Sequence, residues 1–245
     1  MGIRLVRYLA QCGVASRRGT ADLVREGLVT VNGEVTTNVS LSVEPTDAVT
    51  FRGEPVSPPR ESRILLLYKP AGQICSRRDP HNPHTVLDTL PPDLATHLLP
   101  VGRLDKATTG LLLLTDDGDL AFRLTHPKYE LDKTYRALVE GFPTEAALRA
   151  LRDGVMLEDG VTSPARVRSI PQWASDTTTV LEITLHEGRN RQVRRMCEAV
   201  GHRVLRLERI AYGPLTLRGL KPGDWRPLSE DELRALRHAV GLDKE

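Results

Sequence analysis

The chain has 245 residues, 40% hydrophobic and 27% charged, which suits one large globular domain or a small one plus a medium one. Thirty-four basic residues against 32 acidic ones leave a net charge of only +2, and no apolar run approaches the roughly 20 residues that a membrane span requires. Three cysteines, Cys12, Cys75 and Cys197, are too few and too widely spaced for a disulfide framework or a metal knuckle, so the expected setting is a reducing cytoplasm.

Charge distribution is more telling than its sum. Residues 1–25 hold five arginines against one aspartate, and residues 186–218 hold eight against three glutamates. Arginine makes planar, bidentate phosphate contacts, so both clusters point to a polyanion.

Leu5, Tyr8, Leu9 and Cys12 recur at helical spacing up to Gly13. Ser16 then caps a second helix that carries Arg17, Arg18 and Arg25 and stops at Gly27. Two alternating runs over residues 28–35 meet at Asn32-Gly33, a strong hairpin signal. The Pro-, Ser- and Arg-rich stretch 54–63 reads as an extended linker, dividing the chain into residues 1–56, a tether at 57–62 and a second domain at 63–240.

Ile64 to Tyr68 reads as a buried strand, ended by the turn Lys69-Pro70-Ala71-Gly72. The polar loop that follows holds Arg77, Arg78, His81 and His84; neither histidine has a partner at metal-ligand spacing, so no metal is assigned. Residues 101–118 read V-G-R-L-D-K-A-T-T-G-L-L-L-L-T-D-D-G. The four leucines belong in the interior, as a short strand or the start of a helix, which places Asp105 in a polar loop at the edge of a core. Such an aspartate either acts as a base or nucleophile or organises a turn through Thr108 and Thr109.

A short helix follows through Leu120 and Leu124, stopped by His126-Pro127. Residues 133–139 alternate as a strand with Tyr135, Ala137 and Val139 on one face, and on this pattern alone Tyr135 is an ordinary core aromatic. Thr144 caps a helix to Arg152, and strands are expected around residues 155–170 and 178–186. The arginine-rich turn E-G-R-N-R-Q then enters a helix that buries Val193, Met196, Cys197 and Val200. A last strand spans residues 203–210, and Ser229 with Glu232 forms a capping box before a C-terminal helix.

The strings G-R-L-D-x-x-T-T-G-L-L-L-L-T-x-D-G, K-P-x-G, K-T-Y-R and G-R-x-x-Q-V-R together resemble the pseudouridine synthases, in the bacterial ribosomal RNA branch typified by RsuA and RluB. Residues 4–18 and the G-L-V-T-V-N-G run resemble the small S-four RNA-binding domain. The resemblance implies an α+β protein: an S-four-like domain, then a catalytic domain on a mostly antiparallel sheet. It implies that Asp105 is catalytic, that Tyr135 lies against the target base and that Arg194 pairs with Asp105. It gives RNA contacts to Arg103 beside the aspartate, to Arg4, Arg17, Arg18 and Arg25 on the first helices, and to Arg189, Arg191 and Arg195 in the third motif; the loop after K-P-x-G is a further candidate.

The activity so implied is isomerisation of a uridine in ribosomal RNA, needing no cofactor. The E-G-R-N-R-Q-V-R-R-M form is closer to the large-subunit synthase B type, so 23S RNA or a precursor particle is the expected partner of a cytoplasmic monomer. The alternatives are a small-subunit 16S enzyme and a non-catalytic RNA-binding assembly factor. An aspartyl-phosphate phosphotransferase is excluded because Lys106-Ala107, not a second acid, follows Asp105.

Overall fold

A computed structural model describes residues 2–15, 17–58, 62–76, 82, 84–173 and 175–242. The expected cap at Ser16, the side chain of Arg17, and Arg77, Arg78 and His81 lie outside the described residues. Contacts divide the chain into two units, Met1–Arg63 with Asp116–Gly118, and Ile64–Thr115 with Asp119–Glu245. No helix among the described residues is long and apolar enough to cross a membrane.

In the first unit β1 (Ile3–Arg4) leads into α1 (Leu5–Gln11), against which α2 (Arg17–Arg25) packs. The expected hairpin is present as β2 (Val29–Val31) and β3 (Glu34–Val35), with Asn32 and Gly33 both at positive φ (52° and 86°), as a type I′ turn demands. β4 (Ser42–Val43) pairs with β1, while β5 (Val49–Phe51) and β6 (Glu54–Pro55) complete a small sheet in the order β3-β2-β5-β6. Leu5, Leu9, Val24, Val29, Val43 and Val49 form its core.

The second unit contains β7 (Ile64–Lys69), the short α3 (Pro92–Ala95), β8 (Leu99–Val101) and β9 (Thr109–Thr115). After α4 (Gly118–Thr125) come β10 (Lys133–Glu140), α5 (Glu145–Asp153), β11 (Met156–Leu157), β12 (Gly160–Val161), β13 (Arg166–Ser169) and β14 (Thr178–Leu185). Last are α6 (Gln192–Ala199), β15 (Val204–Tyr212), β16 (Leu215–Thr216), β17 (Trp225–Pro227) and α7 (Glu230–Ala239). The stretch expected as strand over residues 155–170 is thus interrupted: β11 and β12 make a hairpin of their own before β13 joins the main sheet.

That sheet has nine strands, seven of them in the order β13-β14-β10-β15-β9-β7-β17, with β8 on β9 and β16 on β15. The four leucines 111–114 are strand, and their unbroken run follows from burial on both faces. Leu111 and Leu113 join one core cluster with Leu120, Leu124 and Leu236, while Leu112 and Leu114 join another with Leu65, Leu67 and Leu98. A third cluster packs α5 and α6 onto β10, β14 and β15 through Leu148, Leu151, Val193 and Met196. Among the described strands of this sheet the pairings are antiparallel except that of β9 with β15, where Glu208 opposes Thr109 and Arg209 opposes Gly110.

Gly110 makes this crossing possible. A Cβ there would lie 2.3 Å from the Arg209 carbonyl oxygen and 2.6 Å from its nitrogen, and φ is +114°. Gly110→Ala is expected to cost at least about 2 kcal/mol, because the clash is with backbone that cannot rotate away, as measured by urea denaturation.

The C-terminal capping box is present, and Arg226 clasps Glu232 through paired bonds of 2.6 and 2.7 Å. These bonds hold the Glu232 carboxyl at about 2, below its ordinary 4.5, so its contribution to stability is present above pH 4.5 and lost as pH falls toward 2. The stability gap between wild type and Glu232→Gln in thermal melts is therefore expected to close over that window.

Candidate active site

Asp105 sits in a turn closed by the Thr108 N–H donating to its own carbonyl at 3.0 Å, one residue before β9 begins. Thr108 Oγ1 is buried and has no hydrogen-bond partner among the described residues, so the Asp105 carboxylate does not spend itself on that hydroxyl. The carboxylate, 32% exposed, faces a cleft of about 620 Å³ with the segment Gly102–Leu104 on one side and Gly188–Arg191 on the other. A smaller recess beneath adds Tyr135, Thr108, Leu185 and Leu207 to the lining.

Lys69 fixes the aspartate's loop. The strand β7 carries it into the interior, where it is fully buried and its ammonium donates to the carbonyls of Thr108 (2.8 Å), Pro70 (3.0 Å) and Lys106 (3.4 Å). Gly72 N–H donates to the Lys106 carbonyl at 2.8 Å, so the K-P-x-G turn and the R-L-D loop are tied twice. Burial lowers the Lys69 pKa, and Cys75 and Asp105 act against that shift. This part of the K-P-x-G element therefore faces the protein's own backbone rather than a ligand. Cys75 Sγ accepts from Leu104 N–H at 3.3 Å, fixing the residue before the aspartate.

From the other side comes Arg194, in the first turn of α6 and 8% exposed. Its Nη1 donates to the Val204 carbonyl at 3.0 Å, and its Nε lies 3.8 Å from Asp105 Oδ2. That separation is an ionic contact and not a hydrogen bond; Nε is buried with no hydrogen-bond partner among the described residues. Tyr135 lies on β10 between Ile183 and Arg209, half-buried, its ring reaching both neighbouring core clusters.

Apart from Arg194, the arginines of the R-L-D loop and the third motif are in two conditions. Arg103 and Arg191 are exposed and, among the described residues, make no hydrogen bond or ion pair. Arg189 donates to the carbonyls of Asp159, Gly160 and Val161 and to Glu187, while Arg195 forms a bidentate pair with Asp159. In the first unit Arg4 and Arg18 are exposed, and Arg25 pairs with Asp22 at 2.7 Å.

Two further polar residues brace the site; they fall within the motifs K-T-Y-R and G-R-x-x-Q-V-R, but sequence alone assigns neither a role. Lys133 donates to the carbonyls of Leu131 and His186, at the root of the arginine-rich loop, and burial pulls its ammonium down to about 8. Gln192, 4% exposed, accepts from Arg189 N–H and donates to Glu187, whose Oε1 also accepts from Ser163 N–H. Only the position of Lys69 directly after an apolar strand hinted at burial.

The cleft thus joins a fixed carboxylate, a buried cation behind it and an aromatic ring in the recess. Residues 63–199 match the RNA pseudouridylate synthase family model and residues 3–49 match the S4 domain. The chain belongs to the RNA pseudouridylate synthase family. It is 45% identical, over 96% of its length and 95% of the relative's, to the ribosomal large subunit pseudouridine synthase B of Bacillus subtilis (strain 168). It is 43% identical, over 99% of its length and 96% of the relative's, to an uncharacterized RNA pseudouridine synthase of Aquifex aeolicus. A crystal structure of a pseudouridylate synthase, 32% identical, superposes with a TM-score of 0.68 over 96% of this chain and 99% of that one.

Lys69→Met leaves three carbonyl oxygens without their cation and is expected to destabilise the protein by about 2 to 4 kcal/mol in denaturant titration. The amides of Gly72 and Thr108, which close the tied loop, should then exchange with deuterium faster than in the wild type. Unchanged protection at both amides would show that the ammonium does not hold the loop.

Proposed function

We propose that this protein isomerises a uridine to pseudouridine within large-subunit ribosomal RNA, with Asp105 as the catalytic carboxylate. The observation that carries the reading is the Asp105 carboxylate, one-third exposed over a cleft, 3.8 Å from a buried arginine and sharing that cleft with Tyr135. A module that only bound RNA would need the arginines but not this carboxylate. The relatives named for the large subunit favour 23S over 16S RNA as the target.

The reaction conserves every atom. The bond from the ribose carbon to uracil N1 breaks, the base turns, and a carbon–carbon bond to C5 replaces it; the C5 proton leaves and N1 gains one. No electron acceptor or group donor enters, so no cofactor is required. The target nucleotide must leave its stack, at a cost of about a few kcal/mol. Arg103, exposed beside Asp105, fills the vacated space and holds a phosphate, while the Tyr135 ring packs on the extruded base. Asp105 works as nucleophile toward the sugar or the uracil or as a base toward a sugar proton. Arg194 keeps it ionised and aimed, a role for which a buried ion pair is better suited than for net stability.

Residues 1–56 dock the RNA through Arg4, Arg17, Arg18 and Arg25, residues 57–62 tether, and residues 63–240 carry the chemistry. The substrate is ribosomal RNA, free or within a precursor particle, met in the cytoplasm by a monomer.

Pseudouridine mapping of ribosomal RNA from cells lacking the protein is expected to show one large-subunit site lost. That site should return with wild type but not with Asp105→Asn, whose rate in vitro falls by at least about a thousandfold. Restoration by Asp105→Asn removes the aspartate from the chemistry, and loss of a small-subunit site instead reassigns the target.

A further inference from the structure

The third-motif arginines Arg189 and Arg195 both point at the β11–β12 hairpin. At its tip the Asp159 carboxylate receives Nη1 and Nη2 of Arg195, each at 2.9 Å, and Arg189 Nη1 lies 3.6 Å away. Arg189 also donates to the three consecutive carbonyls of Asp159 (3.2 Å), Gly160 (2.9 Å) and Val161 (2.6 Å). The hairpin is only two residues wide on each strand, and its cross-strand pair Met156 and Val161 is exposed at 70% and 54%. Only Leu157 packs against the core from this hairpin, and these charge-assisted bonds fix its tip.

What the hairpin braces is the start of α6. This helix has no side-chain cap at Arg191 and no acidic residue in its first turn; Val193 and Met196 seat it on the core, and its first residue, Gln192, is tied to Glu187. Two adjacent arginines then fix its rotation at the cleft. Arg194 reaches inward to the Val204 carbonyl and to Asp105, and Arg195 reaches outward to Asp159, with its Nε on the Asn190 carbonyl at 2.9 Å. Rolling the first turn would break the outward pair and carry Arg194 away from the catalytic carboxylate. The Arg194–Asp105 contact, at 3.8 Å, has no hydrogen bond of its own to resist that motion.

We infer that Asp159 is a positioning residue for the isomerisation, acting through Arg195 and Arg189 to hold α6 and the loop 188–191 in register with Asp105. The inference rests on the proposed function and adds to it a carboxylate that touches neither the RNA nor the reacting atoms. It also divides the third motif: Arg191 is left for phosphate, while Arg189 and Arg195 serve the frame.

The test compares full-length wild type, Asp159→Asn, Asp159→Glu and Arg195→Lys on a transcribed large-subunit ribosomal RNA fragment. Single-turnover pseudouridine formation and the Kd for the same RNA are measured at one ionic strength, and folding is checked by thermal melting. Asp159→Asn and Arg195→Lys, each giving up the paired charge-assisted bonds, are expected to slow the single-turnover step by about tenfold to a hundredfold. Their Kd should stay within about twofold, and Asp159→Glu should recover part of the rate, a pattern that general loosening of the fold would not produce. A wild-type rate in both variants overturns the positioning role. So does an unchanged rate with tighter RNA binding, which would make Asp159 a competitor of phosphate for Arg195. Asp105→Asn runs in parallel: wild type forming pseudouridine where it does not secures the parent reading, so a normal rate without the Asp159 carboxylate counts against this inference alone.

Discussion

The whole catalytic unit hangs on one backbone approach, the parallel step of β9 against β15 at Gly110 and Arg209. In a sheet otherwise antiparallel, this contact puts the beginning of β9 beside the strand that follows α6. Asp105 lies before β9 and Arg194 lies in α6, so the meeting of the two strands is also the meeting of carboxylate and guanidinium. Arg209 strengthens the crossing from within: 3% exposed, it donates Nε to the Leu111 carbonyl at 2.8 Å and lies over the Tyr212 ring. A buried cation that satisfies backbone is expensive to place and hard to remove, which makes the strand order resistant to slippage.

Around that crossing the protein uses cations to tie loops that have few hydrophobic contacts of their own, those of Leu104, Leu131 and Leu157 among them. Lys69 gathers three carbonyls near the aspartate, Lys133 gathers two near the arginine-rich loop, and Arg189 gathers three from a hairpin. Each clamp joins segments far apart in the chain. The cleft can therefore stay polar and open while its walls hold one geometry, which is the requirement for catalysis by positioning.

Much of this was legible in the chain itself. The Asn32-Gly33 hairpin, the Thr144 cap and the Ser229–Glu232 box all rest on local chemistry, and all are present; the burial of Leu111–Leu114 was legible too, though not the choice of strand over helix. Resemblance to a family supplied the grouping of Asp105, Tyr135 and Arg194, and the three do converge. Hidden was whatever depends on partners distant in sequence. The edge strand Trp225–Pro227 gains its identity only by pairing with β7, and β8 only by filling the space beside β9. For the same reason the arginines of the third motif looked alike: Arg189, Arg191 and Arg195 share one composition, and Asp159, 30 residues before Arg189, separates their surroundings.

That separation bears on how the enzyme meets salt. Condensed counterions sit on the RNA, and a guanidinium already paired with a carboxylate is not free to replace them, so under the proposed reading Arg103 and Arg191, among the described arginines lining the cleft, are the ones placed to release them. Two phosphates neutralised would give the cleft a slope of roughly −1.4 in log affinity against log salt, a shallow dependence for a protein that handles a polyanion. Under that reading, recognition at the cleft would rest more on shape and stacking than on ionic atmosphere and would weaken little as salt rises.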